Sequence, residues 1–192
     1  MALETIFAVF VFCVSSAITP GPNNFIVLSA SVRGGMARAL PPYFGICAGF
    51  PLMVLGIALL YLHYSDLLSE ALVYIKYAGA AYLIFLSWKT FTAASAAKEL
   101  DATAGIPGFG AMLLFQWMNP KGWVMAVGSV VLVGEYQVWL APLMFTAIAP
   151  PCVGVWLMAG NIIRNRIIGT PLEKHLNRIF GALLALSVLM LL

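Results

Sequence analysis

Thr19-Pro20-Gly21-Pro22-Asn23-Asn24 interrupts an apolar segment that runs from Thr5 to Val32. Two prolines in three residues remove two backbone donors and clash with the carbonyls one turn earlier, so no regular helix passes through them. Within a bilayer, backbone groups freed in this way are tolerated only where protein buries them or where they line a polar cavity. The stretch therefore predicts a broken membrane helix. Asn23 or Asn24 is expected to cap the half-helix that follows, whose N-terminus would turn free N–H groups and a positive dipole end toward a bound anion.

The rest of the chain fits a membrane setting. Its 192 residues are 62% hydrophobic and 9% charged, with mean hydropathy +0.99, far from the roughly 45–50% apolar and 25% charged usage of soluble domains. Such a composition excludes an ordinary water-soluble enzyme. The absence of any basic run excludes a nucleic-acid partner. Cys13, Cys47 and Cys152 lie in apolar runs with no paired spacing, so they read as small hydrophobes and not as a disulfide framework or metal site. Ile6 to Val14 followed by Ser15, Ser16 and Ala17 imitates a signal peptide, but Glu4 and the lack of Lys or Arg before it argue for a mature segment.

Apolar runs of near-spanning length place spans at about Thr5 to Val32, Pro41 to Leu62, Ala71 to Trp88, Phe109 to Val133, Val138 to Ala159, and a sixth that begins near His175 and ends at Leu192. Connections one, three and five carry Arg33, Arg38, Lys89, Lys98, Arg164, Arg166, Lys174 and Arg178, whereas the opposite side carries Lys76. The positive-inside rule then puts those connections in the cytoplasm and both termini in the periplasm. Thr92 to Gly108, with Lys98, Glu99, Asp101 and Pro107, reads as a cytoplasmic linker.

The segments on either side of that linker resemble each other. Pro20 and Pro120, Pro42 and Pro142, and Pro51 and Pro151 are each 100 positions apart; Lys76, Gly79 and Ala80 recur as Arg178, Gly181 and Ala182 at an offset of 102. Three spans per half is an odd number, so the second half enters the bilayer upside down. The expected fold is an all-α polytopic membrane protein. Its single transmembrane domain over 1–192 has six helices in two inverted three-helix repeats, about 1–91 and 109–192, with helices 1 and 4 interrupted.

The fourth segment breaks at Asn119-Pro120-Lys121-Gly122. A full positive charge at a helix centre costs about 2.5–3.5 kcal/mol on the insertion scale, so Lys121 needs a partner. No acidic residue is near it in sequence. The partner is either a substrate carboxylate or a freed carbonyl of the first span, unless the span begins at Lys121 and the residue is an interfacial anchor. Other candidates read as structural: Gly45 and Gly49 form a small-residue step for helix packing. His63 and His175 fall near span ends, and Asp66, Glu70 and Glu135 fall on outer loops. Trp117 and Trp123 flank the second break.

Thr19 to Asn24, the glycines Gly45, Gly49 and Gly56, Tyr77 to Leu83 leading to Trp88-Lys89, and Phe115 to Lys121 together resemble the LysE/RhtB family of amino-acid exporters, with the cysteine and O-acetylserine branch the nearest in pattern. The resemblance implies export of amino acids or their derivatives across a bacterial inner membrane. It also implies protons as coupling ion, no cofactor, and a small amino-acid substrate as partner; a homo-oligomer is compatible with it. It marks Pro20, Gly21, Pro22, Asn23, Asn119, Pro120 and Lys121 as motif positions, and Asn24 joins them as a binding candidate from its place in the break. No predicted span has a carboxylate in its interior, so the residues name no proton carrier. The rival reading, a non-transporting membrane scaffold, accounts for the packing glycines but leaves both breaks and Lys121 without a role. An intramembrane enzyme would need a nucleophile–base pair or metal cluster at depth, and the sequence has no such motif.

Overall fold

The computed structural model describes residues 3–92, 105–172 and 175–189. Those residues are helical with short turns and contain no strand. Lys98, Glu99 and Asp101 of the expected linker, Lys174, and the last three residues of the expected sixth span lie outside the described residues.

Helix α1, Leu3–Ile18, and helix α2, Pro22–Gly34, meet at a bend of 44°. Helix α3, Met36–Thr92, continues for 57 residues, about 85 Å if straight, nearly three times a hydrocarbon core. It is not straight. Tyr64 leaves helical geometry (φ −138°, ψ 39°), and Leu68, Leu72 and Ile75 beyond it pack on the cluster that contains Met53, Ile57 and Tyr61 before it. The second limb of α3 thus returns beside the first. The expected outer loop around Asp66 and Glu70 is corrected: both are exposed but helical. From Ile57 to Ala78 there is no Pro or Gly, so nothing breaks helix on either side of the single kinked residue.

Helix α4, Phe109–Phe115, ends in a 3₁₀ turn, Gln116–Met118, and is followed by α5, Pro120–Val133. After a second 3₁₀ turn, Glu135–Gln137, come α6, Leu140–Arg166, and α7, Leu176–Leu189. By length and composition α3 and α6 qualify as spans on their own, α1 and α2 qualify together as one bent span, and the remaining apolar helices are shorter. The start of α7 agrees with the expected start near His175. Its 14 residues rise about 21 Å.

The main core gathers Val9 and Cys13 of α1, Met53 and Ile57 of α3, Val127 and Val130 of α5, and Phe145 of α6, with Phe50 and Phe145 edge to face at 4.8 Å. Gly45 and Gly49 serve the expected close packing: α4 lies so near that a Cβ on Gly49 would come 2.7 Å from Leu113 Cα, and one on Gly45 would strike the Phe109 carbonyl. The outer surface exposes Phe7, Leu52, Phe85, Leu143 and Ile162, as expected where lipid is the solvent.

Candidate substrate site at the two helix breaks

Both breaks occur where the sequence places them, but their caps differ from expectation. Pro22 and Pro120 occupy the first turn of α2 and α5, where a missing N–H costs nothing and a fixed φ is already helical. The cap positions are therefore Gly21 and Asn119, and neither break has a side-chain cap bond. Asn23 and Asn24 do not cap α2, because Pro22 ahead of them starts the helix and carries them into its first turn. Pro22, rather than Pro20, opens α2 as Pro120 opens α5.

Asn24 faces backward to the cut end of α1. Its Nδ2 donates to the carbonyls of Ala17 and Thr19, both at 2.8 Å. Trp156 of α6 donates its indole Nε1–H to the Ile18 carbonyl at 2.9 Å. Lys121 Nζ donates to the Thr19 carbonyl at 3.1 Å, the Thr19 hydroxyl oxygen at 2.7 Å and the Pro20 carbonyl at 2.8 Å. Every carbonyl from Ala17 to Pro20 thus receives a donor. Such complete pairing is what burial of a helix end in a water-poor interior demands.

Lys121 is only 6% exposed, unlike a side chain that reaches into an interface, and its partners are the freed carbonyls that were one of the two alternatives. A cation at the negative end of a helix dipole is favourable. Gly21 makes the approach possible, since a Cβ there would lie 2.8 Å from Lys121 Cδ and 3.0 Å from its Nζ. At the second break, Asn23 Nδ2 donates to Gln116 Oε1 at 2.7 Å. Gln116 Nε2 donates in turn to Asn23 Oδ1 at 3.3 Å and to the Met112 carbonyl at 2.8 Å.

Gly21, Pro22, Asn23, Asn24, Asn119 and Lys121 line one cavity of about 30 Å³, closed on its apolar side by Ile46, Phe50, Met125 and Val153. That is about the volume of one water molecule. Pro20 borders a separate cavity of about 10 Å³ beside Trp156 and Phe180, and Pro120 lines neither. Asn119 is 2% exposed, and its Oδ1 is buried with no hydrogen-bond partner. Trp117 and Trp123 brace the second break from outside: Trp123 Nε1 donates to the Trp117 carbonyl at 2.9 Å, with the rings edge to face at 5.9 Å.

Three contributors were missed from sequence. Thr19 and Gln116 stood inside the quoted motifs, and their signal was a polar side chain amid apolar neighbours. Trp156 gave no local signal, because its partner is 138 positions away.

A family model described as LysE type translocator matches residues 14–192. A cysteine/O-acetylserine efflux protein of Klebsiella pneumoniae subsp. pneumoniae is 30% identical over 195 residues, covering 96% of this chain and 95% of the relative. Proteins of the same description from Escherichia coli strain K12 and Shigella flexneri are each 31% identical over 114 residues, 59% of this chain and 57% of theirs. No solved structure matches.

Proposed function

The chain belongs to the LysE type translocator family and is a transporter, not an enzyme; on that premise we propose that it exports amino acids or amino-acid derivatives from the cytoplasm. The substrate binds between the two breaks, with its carboxylate against the N-termini of α2 and α5 and near Lys121. The observation that carries this reading is the convergence of six motif residues from both halves on one small cavity between the breaks. The relatives named for efflux of cysteine and O-acetylserine point to a small zwitterion. A cavity of about 30 Å³ has to widen to accept one, as a closed stage of an alternating-access cycle would.

The six-span inverted repeat is part of this proposal. In its support, α2 and α5 both start on Pro and end on a glycine with positive φ, Gly35 at 79° and Gly134 at 70°. The helix contacts also cross over: α1 and α2 pack on α6, whereas α4 and α5 pack on α3. Rocking of one repeat against the other about the breaks then exposes the site to each side in turn. Gly34 lies beside Ile106, and Arg164 donates to the Val32 and Arg33 carbonyls. Connections one, three and five thus meet on one face, which favours a cytoplasmic basic side with both termini periplasmic. Proton antiport rests on the family resemblance; no carboxylate is among the buried polar side chains of the described residues.

Counterflow in proteoliposomes tests the reading: vesicles loaded with L-cysteine or O-acetyl-L-serine should accumulate the labelled compound from outside. A scaffold would give no exchange with these or with any of the other proteinogenic amino acids.

A further inference from the structure

The three oxygens around Lys121 Nζ make a cradle in which each N–H of a primary ammonium finds an acceptor. The carbonyls of Thr19 and Pro20 can only accept. The Thr19 hydroxyl already donates its hydrogen to the Ser16 carbonyl at 2.9 Å, so toward Nζ it accepts as well. With the hydroxyl so oriented, the cradle offers three acceptors, matching the three N–H bonds of an ammonium. The cradle lies at the cut end of α1, whose dipole favours a cation, and it is built largely from backbone, which keeps its shape whichever ammonium fills it.

An amino acid carries the same group. We infer that this cradle, Thr19 O, Thr19 Oγ1 and Pro20 O, is the subsite for the substrate's α-ammonium, and that Lys121 occupies it as a tethered stand-in until substrate arrives. The inference rests on the transporter reading above and adds to it a place for the positive end of the zwitterion. On binding, the substrate carboxylate draws the Lys121 ammonium away from α1 while the substrate ammonium takes the three oxygens. One cation replaces another in the cradle, and Lys121 exchanges neutral oxygens for a carboxylate. Neither the two cations nor the three cradle oxygens are left without a partner at the end of the swap.

The swap also explains why the cavity is small. The Lys121 side chain crosses from α5 to α1 over Gly21, and its withdrawal vacates that path. Asn119 Oδ1, buried and unpartnered on the same cavity wall, remains as an acceptor for a further donor on the ligand. The cradle cannot serve a quaternary or acylated amine, because three N–H bonds are what it reads.

The test is chemical rescue in purified protein. Lys121→Ala removes the stand-in and leaves room for n-propylammonium. That ion should raise the variant's thermal midpoint by about 4 °C at saturating concentration, while tetramethylammonium and n-propanol should not, and wild type should not respond. No rise, or an equal rise in wild type, overturns the inference. If Lys121→Ala does not fold, Thr19→Val reads the same cradle. Its KM for L-cysteine exchange should stay within about threefold, since Lys121 before binding and the substrate ammonium after it lose the same bond. By contrast 3-mercaptopropionate, which has the carboxylate but no amine and only has to draw Lys121 out of a weakened cradle, should inhibit about tenfold more tightly. An equal change for both compounds, or none for the inhibitor, overturns the inference. Absence of exchange in wild type would instead overturn the transport reading, and it leaves the rescue experiment free to decide the cradle.

Discussion

Lys121 Nζ lies 2.7 Å from Thr19 Oγ1, joining the start of α5 to the end of α1 across 102 positions of chain. That bond ties the two helix breaks together. In Lys121→Ala the Thr19 and Pro20 carbonyls lose a donor, and amino-acid counterflow should disappear while the protein still inserts in the membrane. Retained exchange with unchanged substrate affinity would remove Lys121 from the site.

Lys121→Arg keeps the charge but should not keep function. Gly21 is already so close to the lysine stem that an added methyl would lie 2.8 Å from it, and a planar guanidinium cannot point three donors at one spot as an ammonium does. Counterflow should fall by about tenfold or more, measured as initial rate at equal reconstituted protein.

Gly21→Ala acts on the same contact from the other side. Gly21 is extended (φ −179°), so its backbone imposes no strain on alanine. The clash with Lys121 is the whole effect, and exchange should fall with little change in expression or monodispersity.

Asn119→Leu separates stability from activity. Its Oδ1 is buried without a partner, and replacing an unsatisfied buried polar group by an apolar one of similar size relieves a penalty of about 1–3 kcal/mol. The thermal midpoint should hold or rise while exchange drops. A clear fall in the midpoint would show that the side chain has a structural partner.

Trp156→Phe removes the donor to the Ile18 carbonyl with little change in packing. Leaving that carbonyl bare should cost about 1–3 kcal/mol, visible as a lower midpoint in detergent.

The breaks were legible in part because Pro22 and Pro120 cannot donate and each opens a helix. Yet Pro41, Pro42, Pro51, Pro150 and Pro151 lie inside α3 and α6, so proline marked a break only together with Gly21 or Asn119 beside it. What lay beyond local chemistry was not. Asn23 and Asn24 carry side chains suited to capping, yet Pro22 moved the start of α2 ahead of them, and Asn24 turned to the carbonyls behind. Lys121 was recognisable as a charge in want of a partner, but which partner depended on how α5 approaches α1. Asp66 and Glu70 suggested a loop by charge, whereas the stretch has no breaker residue, and one kinked residue, Tyr64, accommodates the reversal. The finer architecture, two inverted repeats of three spans, remains a proposal supported by matching caps and crossed contacts.

Donors to the stump of α1 arrive from three directions: Asn24 on α2, Lys121 on α5 and Trp156 on α6. A rigid swing of any one helix unfastens its own side chain and leaves the other two holding. Of the three, Lys121 alone bears a charge that a substrate carboxylate would attract, so in the proposed cycle it is the fastener that lets go.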